Sequence, residues 1–219
     1  MKFNSIPFLA KATPPAGGGG GAEYVTQSVF GGASNITVTM PGGVTATDRV
    51  FALCSPLDAG TANSAIATMT VSGWTVENTV TQGDVNARLF SAPGDVSNLT
   101  FSASGLGSVV LLVVRGSYRS SAINARYYAH ESGLHTTPTA TATLNDLAVS
   151  VFVQCDGANP AHGASYQAGY TRELLKSDAA PWVSILSREN APAGATGEIS
   201  HDGGTSFSTR VALTLIVQP

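Results

Sequence analysis

One pattern constrains this chain more than any other: the same succession of short strand-like runs is written twice. The first half reads "DRVFALC", "GWTVEN", "VNARLFSAPGD", "LTFSASG" and "VVLLVVR". The second reads "DLAVSVFVQC", "GYTREL", "WVSILSRENAPAG", "GEISHDG" and "RVALTLIV". Trp74 and Tyr170 hold matching places, each after a glycine and before a threonine. No segment carries sustained helical periodicity. The runs alternate apolar and polar residues, as in Ile36, Val38 and Met40, or stay apolar throughout. Turn residues separate them: "MPGG" at 40–43, "APGD" at 92–95, "DGANP" at 156–160 and "HDGG" at 201–204.

One such set of strands leaves an apolar face open, and two sets close face to face into one core. The expected fold is all-β: a β-sandwich or jelly roll built from two similar antiparallel units, as one domain over residues 23–219. A chain of 219 residues is long enough to bury such a core. Val109 to Val114 are apolar on both faces of a strand, which predicts a central strand covered on both sides. Cys54 and Cys155 each end an apolar run. Leu147, Val149, Val151, Val153 and Cys155 alternate onto one face, so buried free thiols are expected rather than a bridge.

Residues 1–22 read as an N-terminal anchor arm and a Gly-rich linker. The arm, "MKFNSIPFLA", offers Phe3, Ile6, Phe8 and Leu9 as apolar contacts, and Pro7 favours an extended path. It is short for a signal peptide, Pro7 interrupts it and Lys11 follows at once, so it is expected to be retained. Pro14 and Pro15 stiffen the exit, and Gly17 to Gly21 act as a swivel. Fully extended, the tether reaches about 70 Å. Burying the four apolar side chains contributes roughly 1.5–3 kcal/mol each before ordering costs. A single arm therefore binds weakly, and several arms on a homo-oligomer, taken here as a trimer, bind tightly by avidity.

Between the halves runs "RGSYRSSAINARYYAHESGLHTTPT", the most polar-aromatic stretch of the chain. It is expected as an exposed crossover loop, with Arg119, Arg126, Tyr127 and Tyr128 as a candidate outer binding loop. Tyr and Arg are the residue types enriched at interfaces. The competing structural reading has Tyr127 and Tyr128 pinning that loop to the sandwich edge.

The rest of the chain argues against other classes. Charged residues make up 11 %, the net charge is −3, and no basic tract exists, so a nucleic-acid partner is not expected. No apolar run is long enough to cross a bilayer as a helix. "HESGLH" at 130–135 spaces its histidines one residue too far apart for a zinc-peptidase helix, and Gly133 breaks it. No serine stands in a G-x-S-x-G elbow, and Gly17–Gly21 lacks the Lys-Ser/Thr of a phosphate loop. No catalytic residue, metal or cofactor is expected, and the reading is non-enzymatic.

With "TATDRVFALC", "GWTVEN", "VNARLFSAPGDVSNLTF", "SVVLLVVRG", "DLAVSVFVQC", "GYTREL" and "STRVALTLIV" in hand, the chain resembles the β-sandwich or jelly-roll proteins of tailed-bacteriophage virions. These are head decoration proteins, head fibres and tail-associated proteins. The resemblance covers most of residues 44 to 217 through short motifs, and the stretch 115–135 departs from it. It implies a virion component assembled in the host cytoplasm and partnered by capsid or tail proteins. Its alternative is a tail or fibre module that binds a receptor or a host surface glycan. It carries over no catalytic residue.

Overall fold

The computed structural model describes residues 22–32, 34–57, 64–82, 85–131, 134–154, 169–176, 180–197, 200–202 and 208–218. In the first half these are β1 (Glu23–Gly31), β2 (Asn35–Thr37), β3 (Arg49–Pro56), α1 (Ser64–Thr68), β4 (Thr75–Gln82), β5 (Val85–Pro93), β6 (Thr100–Ser102) and β7 (Leu106–Arg115). The second half supplies β8 (Ser117–Glu131), β9 (Leu134–Thr136), β10 (Thr141–Ala142), β11 (Asp146–Gln154), β12 (Thr171–Lys176), β13 (Trp182–Ala191), β14 (Gly194–Ala195), β15 (Ser200–Asp202) and β16 (Ser208–Gln218). The fold is an antiparallel all-β sandwich.

Each main sheet is drawn from one half of the chain. The first has the order β1-β7-β3-β5-β4 and the second β12-β13-β11-β16-β8. The chain passes from one sheet to the other at Gly116. There the backbone takes φ +125, and a β-carbon would lie 2.5 Å from the Gln218 carbonyl oxygen, so the corner requires glycine. Three small pairs complete the fold: β2–β6, β10–β14 and β9–β15.

Alternation along the central strands builds two layers of core at once. Phe51, Leu53, Val110, Leu112 and Val114 meet Leu147, Val149, Val151, Val183, Ile185, Leu213 and Leu215 between the sheets. Val50, Ala52, Cys54, Val109, Leu111 and Val113 point the other way, beneath Ile36, Ile66, Trp74 and Phe101. Val109 to Val114 are therefore fully buried in succession, as a doubly covered strand must be. On the far side of the second sheet, Ala140, Ala142, Ala148, Ala191 and Ile216 form a smaller cluster with Tyr170 against it.

One expectation is corrected. Residues 117–131 form the strand β8 rather than an exposed loop, paired along β16 from Ser117↔Gln218 to Glu131↔Ser208. Its sequence hides this because an edge strand, paired on one side only, tolerates polar residues in place of clean alternation. The fold also contains α1, a helical turn too short to show a period. It buries Ile66 on the outer face of the first sheet.

Candidate functional surface

The sandwich has two unlike ends. At one end stand Ala22, Glu23, Arg115, Gly116, Ser117 and Gln218, since Glu23 pairs with Arg115 and Ser117 with Gln218. Ala22 is 4 % exposed here. Ala22 thus packs against Gly116 at the crossover, where β1 begins. Arg115 holds this end together. Its Nε donates to Asp48 Oδ1 at 2.8 Å, its Nη2 to Asp48 Oδ2 at 3.2 Å, and its Nη1 to Glu23 Oε2 at 3.4 Å. The Thr45 N–H and hydroxyl donate to Asp48 Oδ2 as well, at 2.8 and 3.0 Å. Burial alone raises the Asp48 pKa. The Arg115 and Thr45 hydrogen bonds and the guanidinium charge outweigh it and hold the carboxyl below its ordinary value.

The opposite end carries the starts of β5, β13 and β16 and the ends of β1, β3 and β11. A β-carbon on Gly31, at the end of β1, would meet Pro181 just before β13 at 2.9 Å, which places these ends together. Between the two ends, the open sides of the sheets are stitched. The Tyr24 hydroxyl donates to Gln27 Oε1 at 2.8 Å, and Gln27 Nε2 donates to the Glu173 carbonyl at 3.3 Å, joining β1 to β12. Desolvation, then the Glu173 charge, push the Tyr24 pKa well above its ordinary value, so this phenol stays protonated.

The arm residues Phe3, Ile6, Pro7, Phe8 and Leu9 lie outside the described residues. Arg119, Arg126, Tyr127 and Tyr128 all fall on β8. Arg119 belongs to its crossover end, the other three to its far half. Tyr127 pairs with Val211, a residue of the inter-sheet core, whereas Arg126 pairs with Ala212 and Tyr128 with Arg210. Successive strand residues take opposite faces, so the adjacent tyrosines occupy positions on different sides of the sheet. Register places Tyr128 in one cross-strand row with Arg210, Gln154 and Trp182, and Arg126 in the next row with Ala212, Phe152 and Ser184. Three strand spacings of about 4.8 Å make each row about 14 Å wide.

That face of the second sheet is unusual in what it buries. Ser150, Gln154, Ser184 and Thr214 are all 2 % exposed or less. The strip at 137–138 satisfies two of them: Ser150 donates to Thr137 Oγ1 at 3.2 Å and Thr214 to the Pro138 carbonyl at 2.5 Å. Trp182 Nε1 and Ser184 Oγ have no hydrogen-bond partner. The sequence does not single out either, because only the folded sheet shows their polar atoms buried without partners.

Cys54 is a free, buried thiol. Burial pushes its pKa up against the opposing charge of Arg88, so it remains unreactive at neutral pH. Cys155 lies outside the described residues. Among the described residues, no group of three or more His, Cys, Asp or Glu is placed to hold a metal ion, and no helix is long and apolar enough to cross a membrane. Comparison with family models, with curated proteins and with solved structures finds no match.

Proposed function

We propose that this protein is a non-enzymatic structural component of a tailed-phage particle, a capsid decoration or head-fibre protein held on the particle by its N-terminal arm. The observation that carries the reading is the joint between tether and sandwich. An apolar ten-residue arm and a glycine string lead into Ala22, which is buried where β1, β7, β8 and β16 converge. A load applied through the arm is therefore delivered to the end clamped by Asp48, Arg115 and Glu23, while the opposite end faces outward. The buried carboxylates support the same reading, since they serve the fold: Asp48 and Asp146 hold turns, and Glu77 holds a bulge.

Deleting residues 2–11 tests it. The truncated protein is expected to keep the thermal melt of the intact sandwich and to lose co-sedimentation with the particle. Unchanged occupancy on the particle overturns the proposal.

A further inference from the structure

We propose that two copies of this protein exchange whole sheets, giving a domain-swapped dimer in which β7 and β8 run on through Gly116 as one continuous strand. The partner surface is the inner face of the opposite sheet in a second copy. The inference is independent of what the arm binds. It starts from how the chain is divided. Among the described residues, every strand ladder joins strands of the same half, as β1 to β7 or β8 to β16. One half is held on the other by side-chain packing. Phe51, Leu112 and Val114 of the first sheet meet Val151, Ile185 and Leu213 of the second, all fully buried. The hydrogen bond from Gln27 Nε2 to the Glu173 carbonyl also crosses between the halves. A sheet from a second copy can make these contacts unchanged, so exchange sacrifices neither ladder nor core.

A single residue lies between the sheets. β7 ends at Arg115 and β8 begins at Ser117. The ladders run up to the corner from both sides, Arg115 opposite Glu23 and Ser117 opposite Gln218, so no slack chain is left. To fold back, Gly116 takes φ +125, a backbone that L side chains rarely adopt. The corner is also crowded. A β-carbon there would lie 2.5 Å from the Gln218 carbonyl oxygen and 2.9 Å from the Ala22 β-carbon. In the exchanged form residue 116 takes ordinary extended backbone, which any residue adopts. Short hinges of this kind favour exchange, because opening relieves the corner while the same contacts re-form between copies.

Two effects set the balance. Joining two chains costs translational and rotational freedom, which favours the closed monomer. Relief of the two corners favours the dimer. Concentration during folding decides between them by mass action. Once formed, the two species interconvert slowly, because exchange must open the whole inter-sheet core. A dimer made by surface contact alone has neither property: it leaves the corner intact and separates on dilution. In the exchanged dimer the two crossover ends meet at the hinge, so each Ala22 stands beside the junction.

The test refolds the full chain from denaturant at millimolar and at micromolar concentration and measures mass by light scattering on a sizing column. The parent is expected to give a dimer at the higher concentration that survives dilution into native buffer. Gly116→Val penalises the closed corner and suits a continuous strand, so it should raise the ratio of dimer to monomer by about tenfold or more. A Gly-Ser-Gly insertion after Gly116 supplies slack to the corner and should abolish the dimer. Should Gly116→Val fail to fold, the parent and the insertion carry the test between them. A parent that stays monomeric at both concentrations overturns the proposal. A dimer that separates on native dilution overturns it as well, since that behaviour belongs to surface contact. So does a dimer that the insertion leaves unchanged, which places the contact away from the hinge.

Discussion

The two main sheets follow the same path and are finished differently. Written from its N-terminal strand, the first runs β1-β7-β3-β5-β4 and the second β8-β16-β11-β13-β12. The likeness extends to irregularities. A bulge interrupts β4 between Val76 and Asn78 and another interrupts β12 between Arg172 and Leu174, leaving Glu77 and Glu173 as the extra residues. Each glutamate accepts a hydrogen bond from a serine fourteen residues on, Ser91 or Ser187. The strands that carry them each begin two residues after a left-handed glycine, Gly73 at φ +85 or Gly169 at φ +93. Ahead of each first central strand, a Thr-x-x-Asp turn closes on itself: Thr45 with Asp48, and Thr143 with Asp146. The path, the bulges at Glu77 and Glu173 and the two Thr-x-x-Asp turns are common to both sheets. What differs is the filling of the outer faces: the first is apolar throughout, with Trp74, Phe90 and Phe101 in contact, whereas the second sets Phe152 and Trp182 among the buried polar residues Ser150, Gln154, Ser184 and Thr214. Like paths with different filling separate what the strand order requires from what the outer faces are free to vary.

The largest expected effect breaks the comparison at the outer faces. Phe101 is fully buried beneath the first lid, with Trp74 edge-on at 5.1 Å between ring centroids and Phe90 at 5.9 Å. Phe101→Ala should cost about 3–5 kcal/mol in chemical denaturation, the cost of a large cavity in an aromatic cluster. Tyr170 sits half-buried on the second sheet with the Arg188 guanidinium 5.9 Å from its ring. Tyr170→Ala should cost about 1–2 kcal/mol, because less surface returns to water and one weak cation–π contact is lost. Equal costs would mean that the second outer face is as tightly packed as the first.

The second effect concerns charge. Asp48 and Asp146 occupy like turns and are both buried, but only Asp48 meets an arginine. Arg115 is 42 % exposed, so screening reduces the cost of breaking the pair below that of a fully buried one. Asp48→Asn should cost about 2–3 kcal/mol, and Asp146→Asn about 1–2 kcal/mol for weaker hydrogen bonds to the Thr143 N–H and hydroxyl. The pH dependence follows from the lowered Asp48 pKa. Its stabilising contribution is complete above the ordinary carboxylate value of about 4 and is lost as pH falls through the lower folded value. Denaturation midpoints between neutral pH and about pH 3 should therefore fall less steeply in Asp48→Asn than in the parent. Parallel slopes would show that the pair is not what acid breaks.

Much of this comparison is legible in the chain. The matched "GWTVEN" and "GYTREL" runs locate β4 and β12, and the apolar block at Val109–Val114 locates the doubly covered β7. Local spacing carries that information. Three features required the fold. β8 takes its strand character from β16 beside it, since "SYRSSAINARYYAHE" has no period of its own. Helix α1 exists to place Ile66, a tertiary demand on a five-residue stretch. Trp182 and Ser184 become a pair only when alternation is anchored by Val183 and Ile185 in the core. The Ser–Glu pairs lie between. Their fourteen-residue spacing is present twice in the chain, but it gains meaning only with the bulge that turns each glutamate toward its serine.

Those pairs provide the smallest and sharpest prediction. Ser91 also accepts a hydrogen bond from Arg49 Nη2 at 2.9 Å, and Arg49 stands 3.7 Å from Glu77 Oε1. At the position corresponding to Arg49, near the start of β11, the second sheet has Leu147, which faces the core. If the clamp works chiefly by fixing the bulge, Ser91→Ala and Ser187→Ala should each cost about 1 kcal/mol, the net value of one hydrogen bond to a carboxylate partly replaced by water. If the arginine matters, Ser91→Ala should cost more, about 1.5–3 kcal/mol, because two charged groups then lose their shared partner. The double-mutant cycle of Ser91→Ala with Arg49→Met separates these outcomes. A coupling near zero makes the two sheets equivalent at their bulges, so that divergence between them is confined to the outer faces. Coupling of about 1 kcal/mol or more extends it to the sheet edge at β4.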